Sequence, residues 1–152
     1  MDVQTMRSLG DIGAVAALGI SAIGSSYAIG VAGVSAIGAW KKAYAQGKKA
    51  LFTLMVFVGA PLSQTIYGMI MLITIRNVLD KNPENWAACL GAGIFGGMGI
   101  ASSAWAQGKA SAAASDALNE TGKGFANYLM VLGVGETVAL FVLVFSQMAF
   151  VS

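Results

Sequence analysis

The chain has 152 residues, of which 57% are hydrophobic and only 11% charged, with a formal net charge of +2 and no histidine. A soluble domain averages about 25% charged residues, so this sequence has less than half the usual means of wetting a surface. That excludes a soluble enzyme, and so small and balanced a charge gives no footprint for nucleic acid. In chain order, charge-free runs cover Ile12–Trp40, Ala50–Ile75 and Asn85–Gly108, and a fourth run, Gly124–Ser152, holds a single charge. Each exceeds the ~20 residues that cross a ~30 Å hydrocarbon layer as helix. Four transmembrane helices are predicted, with connections too short to fold an aqueous domain. The chain reads as an all-α membrane protein with no catalytic head.

The first connection, Trp40–Ala50, holds Lys41, Lys42, Lys48 and Lys49, and the third, Lys109–Lys123, has a lysine at each end. Both lie on one side of the membrane. The other side carries Arg7, Arg76 and Lys81 among Asp2, Asp11, Asp80 and Glu84. The positive-inside bias therefore puts the lysine-rich connections in the cytoplasm and both termini outside. A cleaved signal peptide is not expected, because the first apolar run is far longer than a signal core and no strong basic segment precedes it. Cys89, the single cysteine, is expected to pack as a small hydrophobe.

The halves repeat. SSYAIGVAG (Ser25–Gly33) stands beside SAWAQGKAS (Ser103–Ser111), and Ser63-Gln64-Thr65-Ile66 stands beside Gly135-Glu136-Thr137-Val138. This predicts two fused helical hairpins, residues 1–80 and 81–152, with the carboxylate in the second. The polar positions differ between copies: Gln64 corresponds to Glu136, and Ile29 to Gln107. Residues on antiparallel helices are level when the turn lies midway between them. The midpoint of Gln107 and Glu136 falls in Asn119-Glu120-Thr121-Gly122 and that of Ile29 and Gln64 at Gln46-Gly47, so each pair is predicted to be level. Small residues recur at helical spacing in Ala22, Ser26 and Gly30, in Ala28, Ala32 and Ala36, and in Gly93, Gly97 and Ala101. Such rows let helices approach closely, and they cover more sides than one neighbour needs, as in an inner ring of helices from many subunits.

Glu136 is the only charged residue within the four predicted spans. An ionised carboxylate at bilayer depth costs at least about 2.5–3.5 kcal/mol. With no basic residue expected at that depth, the carboxylate must hold a proton or a metal ion. In the second span, Ser63 and Gln64 share a helical face with Tyr67, and Pro61 loosens the backbone near Phe57–Ala60, where carbonyls can turn aside as ligands. One carboxylate among neutral oxygens suits a hard monovalent cation such as Na⁺. A bare proton site would need only Glu136 and one partner, leaving the glutamines as added desolvation cost.

Through PLSQTIYG (Pro61–Gly68), AQGKA (Ala106–Ala110) and GETVAL (Gly135–Leu140), the chain resembles the membrane-ring proteolipid of V-type rotary ATPases. The resemblance spans essentially the whole chain and points to the bacterial sodium-transporting type, with departures at Leu62, where a small residue is usual, and at Ser63, where threonine is usual. It implies that Glu136 is the ion-carrying carboxylate, that Gln64, Gln107 and the Ser63 hydroxyl are Na⁺ ligands, and that the Ala60 backbone carbonyl completes the set. Tyr67 would hydrogen-bond Glu136 and lock the loaded state. It further implies a homo-oligomeric ring of identical subunits, embedded in lipid of the bacterial cell membrane and turning against a stator subunit that carries an arginine. Central-stalk subunits would dock on the cytoplasmic connections, and ATP chemistry would occur in other subunits. H⁺ coupling is the alternative within this class; outside it stand a self-contained cation channel and a tetraspan scaffold.

Overall fold

The structure, a computed structural model, describes residues 1–150; the last two residues of the predicted fourth span lie outside them. Helix α1 (Val3–Ala45) starts where the Asp2 carboxylate accepts the Thr5 backbone N–H at 2.7 Å, an N-cap that holds this carboxyl below its usual pKa. At 43 residues it is about 65 Å long, far beyond the predicted Ile12–Trp40. Nothing between Trp40 and Ala45 breaks a helix. The break comes at Gly47, whose φ of 66° allows a Schellman cap, with Lys48 N–H bonded to the Ala43 carbonyl and Gly47 N–H to that of Tyr44.

The second span is α2 (Leu54–Gly59), a 3₁₀ turn (Ala60–Leu62) and α3 (Ser63–Lys81). After the turn at Pro83–Asn85, α4 (Trp86–Thr121) continues through most of the predicted third connection, and only Gly122–Gly124 forms the turn. The reason is composition: Ala110–Ala117 is rich in alanine, the best helix former, and the first breaker is Gly122 in the left-handed region. Helix α5 (Phe125–Gln147) and the turn Met148–Phe150 complete the described chain. All four spans are long and apolar enough to cross a membrane. Ile12, Val15, Ile66, Val134 and Phe141 are among the many large apolar side chains that point outward. The chain is an integral membrane protein.

Helices α1 and α4 run parallel and pack closely, Gly13 against Gly93, Gly24 against Ala101 and Ala28 against Gly108. The two copies of the repeat thus lie side by side at matching depth. Two of the predicted small-residue rows build this contact: Ala28, Ala32 and Ala36 are buried, and Gly93, Gly97 and Ala101 meet α1. The third row turns outward, leaving Gly30 with nothing around it. A Cβ at Gly93 would fall 2.0 Å from the Gly13 carbonyl oxygen. Gly93→Ala should therefore force the helices apart and cost about 1–3 kcal/mol. A clearly lowered melting temperature of the detergent-purified protein is expected, and an unchanged one would show that the helices do not approach this closely.

Helix α3 lies antiparallel on α1, with Leu79 against Gly10 and Gly68 against Ser21, and α5 lies antiparallel on α4. Two apolar cores result. One, near the termini, includes Ala14, Met71, Ile75, Cys89, Ile100 and Leu143; the other, near the two interhelical turns, includes Ala32, Leu54, Phe57, Leu118 and Leu132. Between them lies a layer in which Ser21, Ser25, Gln64, Ser103 and Gln107 are all buried. Ion pairs mark the ends of the bundle, Arg7 with Asp80 and Arg76 with Asp11 at the terminal end, Lys42 with Asp116 and Glu120 at the turn end.

Candidate ion-binding site

The polar layer starts at Pro61, which offers no N–H to the preceding turn and sits in the 3₁₀ segment that interrupts the second span. The Ala60 carbonyl leaves the α-helical ladder there and accepts the Ser63 backbone N–H instead. The Ser63 hydroxyl lies 3.1 Å from the same carbonyl and 3.2 Å from Gln64 Oε1. Gln64 Nε2 then donates to Gln107 Oε1 at 2.8 Å, and Gln107 Nε2 donates to the Leu132 carbonyl at 3.0 Å. A continuous polar chain thus crosses from the second span through α4 to α5. One turn along, Tyr67 O–H donates to Glu136 Oε1 at 2.5 Å, joining α3 to α5 directly.

The six predicted site residues fall into these two groups. Ala60, Ser63, Gln64 and Gln107 form the chain, and Tyr67 and Glu136 form the pair. Helix geometry joins the groups, because Tyr67 is three residues from Gln64 and Glu136 four from Leu132. Glu136 makes no hydrogen bond to either glutamine. Gln107 meets the backbone at Leu132, one turn short of the residue that midpoint counting paired with it. The backbones themselves are staggered by about one turn from the midpoint count, as the Ser103–Gly135 bond also shows, and because side chains lean toward the N-terminus of their own helix the Gln107 and Glu136 heads lean toward each other across that stagger.

Two features escaped the sequence reading. Ser103 donates to the Gly135 carbonyl at 2.7 Å and pins α5 beside the glutamate. Its match to Ser25 in the repeat, and its place four residues before Gln107, were the available signals. The second is Lys109, which corrects the expectation that no basic side chain shares this depth. It stands two residues beyond Gln107 on the exposed face of α4, with Nζ 5.7 Å from the Trp105 ring centre. It makes no salt bridge among the described residues, so Glu136 still has no cationic side-chain partner.

Gln64 and Gln107 are 0% and 1% exposed, Ser63 and Glu136 half-buried. The Ala60 carbonyl, Ser63 Oγ, both glutamine Oε1 atoms and the Glu136 carboxylate are the oxygens that these two groups could offer an ion, with one negative charge among them. Such a set fits a hard monovalent cation, which it would hold as a neutral unit.

A family model described as the ATP synthase C subunit matches residues 12–75 and matches a second time over residues 90–149. The two matches cover the two helical hairpins in turn. No curated protein matches the chain significantly.

Proposed function

We propose that this chain, which belongs to the ATP synthase C-subunit family, is a duplicated rotor proteolipid of the V-type that carries Na⁺ on Glu136. Membership makes it a membrane proteolipid of an ion-translocating rotor, from a family of non-catalytic, ring-forming subunits. The duplicated chain with one carboxylate in two hairpins, together with the Pro61–Tyr67 segment, supports the V-type reading.

In the loaded state Na⁺ sits between the Glu136 carboxylate and the oxygens of Ser63, Gln64, Gln107 and the Ala60 carbonyl, while Tyr67 donates to the free side of the carboxylate. The pair of charges is then neutral to the lipid, and the subunit can move through hydrocarbon. In the unloaded state the bare carboxylate is stable only beside a cation, the role of an arginine on the stator. Alternation between the two makes rotation and ion movement interdependent, with ATP chemistry and the central stalk supplied by other subunits. The turn end, with its lysines, faces the cytoplasm and the stalk. The outward small-residue row at Gly30 is available to a neighbouring copy in the ring.

The observation that carries the Na⁺ reading is the chain Ser63–Gln64–Gln107, whose two glutamines are fully buried. For proton carriage, Glu136 and Tyr67 suffice, and two fully desolvated carboxamides would be a cost without a use. The test is labelling of Glu136 by a hydrophobic carbodiimide, which needs the protonated acid. Na⁺ should protect Glu136, and because Na⁺ and H⁺ compete for the same oxygens, protection should weaken as pH falls. Equal labelling with and without Na⁺ at every pH would establish the proton-coupled alternative.

A further inference from the structure

Three of the five buried serines find a carbonyl: Ser21 bonds to Ala17 at 2.7 Å and Ser115 to Ser111 at 2.9 Å, each one turn back on its own helix, and Ser103 reaches Gly135 on α5 at 2.7 Å. Ser25 does not. It is 2% exposed, and its hydroxyl is buried with no hydrogen-bond partner among the described residues, a condition shared with Ser111 toward the turn end of α4. An unpaired buried hydroxyl costs free energy unless something polar meets it, and in native proteins that partner is commonly an ordered water.

Two independent registers place Ser25 at the ion site. The first is the packing of α3 on α1: a Cβ at Gly68 would fall 2.7 Å from both Cβ and Oγ of Ser21. One turn along each of these antiparallel helices, in opposite directions, brings Gln64 opposite Ser25. This also corrects the expected pairing of Gln64 with Ile29, which packs instead against the core at the turn end. The second register is the internal repeat. Ser103 donates to the Gly135 carbonyl, and the repeat equivalents of these residues are Ser25 and Ser63. Helix α5 runs unbroken through Leu132–Val134, whereas the equivalent Ala60–Leu62 is the 3₁₀ turn. The second span therefore departs from the backbone course that presents a carbonyl to Ser103, and the Ser25 hydroxyl stays uncommitted beside Ser63 and Gln64.

We infer that Ser25 is a further positioning residue of this site, whose hydroxyl holds a buried water that faces the ion and completes its oxygen shell. The inference rests on the Na⁺ reading for the ion and on the orphaned hydroxyl for the water. Helix α1 thereby joins a site that otherwise draws only on the second, third and fourth spans.

The test compares ²²Na⁺ binding to the purified ring of the parent, Ser25→Ala, Ser25→Thr and a control, Ser115→Ala, together with a high-resolution map of the parent ring. Ser25→Ala should keep the ring assembled and weaken Na⁺ binding roughly tenfold, the low end of what outer-shell groups contribute. Ser25→Thr, which keeps the hydroxyl, should restore most of the affinity, and Ser115→Ala should bind like the parent. The map should show a water within hydrogen-bonding distance of Ser25 Oγ. Parent-like affinity in Ser25→Ala, or a map with no water there, would overturn the inference. A parent ring that binds no Na⁺ would refute the sodium reading instead, and the predicted water at Ser25 would then be judged by the map alone.

Discussion

Glu136→Gln should abolish Na⁺-coupled transport while leaving the protein folded and assembled. Glutamine has nearly the same shape, and its carbonyl oxygen can still accept the Tyr67 hydroxyl that now meets the carboxylate. Packing therefore changes little, and what is lost is the negative charge. Na⁺ would then enter a site with only neutral oxygens, at a depth where the outward surfaces of α3 and α5 are apolar at Ile66, Met69, Val134 and Val138. Leaving a charge buried without its counter-charge costs about 3–5 kcal/mol, two to more than three orders of magnitude in affinity. Reconstituted enzyme carrying the variant should show no ²²Na⁺ uptake above the leak. The variant should also be inert toward the stator, because a neutral side chain gives an arginine nothing to attract. Retained Na⁺ uptake would remove Glu136 from the ion's path.

The glutamine variants should have the next largest effect. Gln107→Ile and Gln64→Leu should each weaken Na⁺ binding by about 1–3 kcal/mol, or roughly fivefold to more than a hundredfold, the range for leaving a buried polar partner unsatisfied. The repeat supports the first choice, since Ile29 already occupies the equivalent place in the other hairpin. The structure adds that the two effects will not sum. Gln64 donates to Gln107, so removing either already strands the other, and the double variant should cost less than the two single losses together. Equilibrium binding on the three purified variants checks this. Parent-like affinity in both single variants would leave Glu136 and Tyr67 as a proton site.

The four spans were legible because charge is nearly absent from them, and a chain that cannot be wetted has few other ways to fold. Their ends were not. Lysines such as Lys42 and Lys109 mark polarity, but lysine is a good helix former, so α1 and α4 continue until Gly47 and Gly122 stop them. The same confusion of charge with loop hid the depth of Lys109. At the site, the repeat and helical spacing singled out Ser63, Gln64, Gln107 and Glu136 because each is a polar side chain in an apolar run. The backbone groups were harder. The Ala60 carbonyl could be approached through Pro61, but the Leu132 and Gly135 carbonyls depend on the register of α5 against α4, which is set by packing and lies about one turn off the midpoint count. Ser25 was invisible because one helical serine looks like another until the structure shows that Ser25 and Ser111 lack partners among the described residues and that Ser25 is the one opposite Gln64.

The central claim is that a Na⁺ ion is held on Glu136 by neutral oxygens in a desolvated layer. Equilibrium binding of ²²Na⁺ to the purified ring, measured over a range of pH, tests it most directly. The account predicts saturable binding at one ion per chain, with an apparent affinity that falls as pH is lowered and protons occupy the same carboxylate. A ring that remains intact, whose Glu136 reacts with carbodiimide, and that binds no Na⁺ at any pH would contradict it.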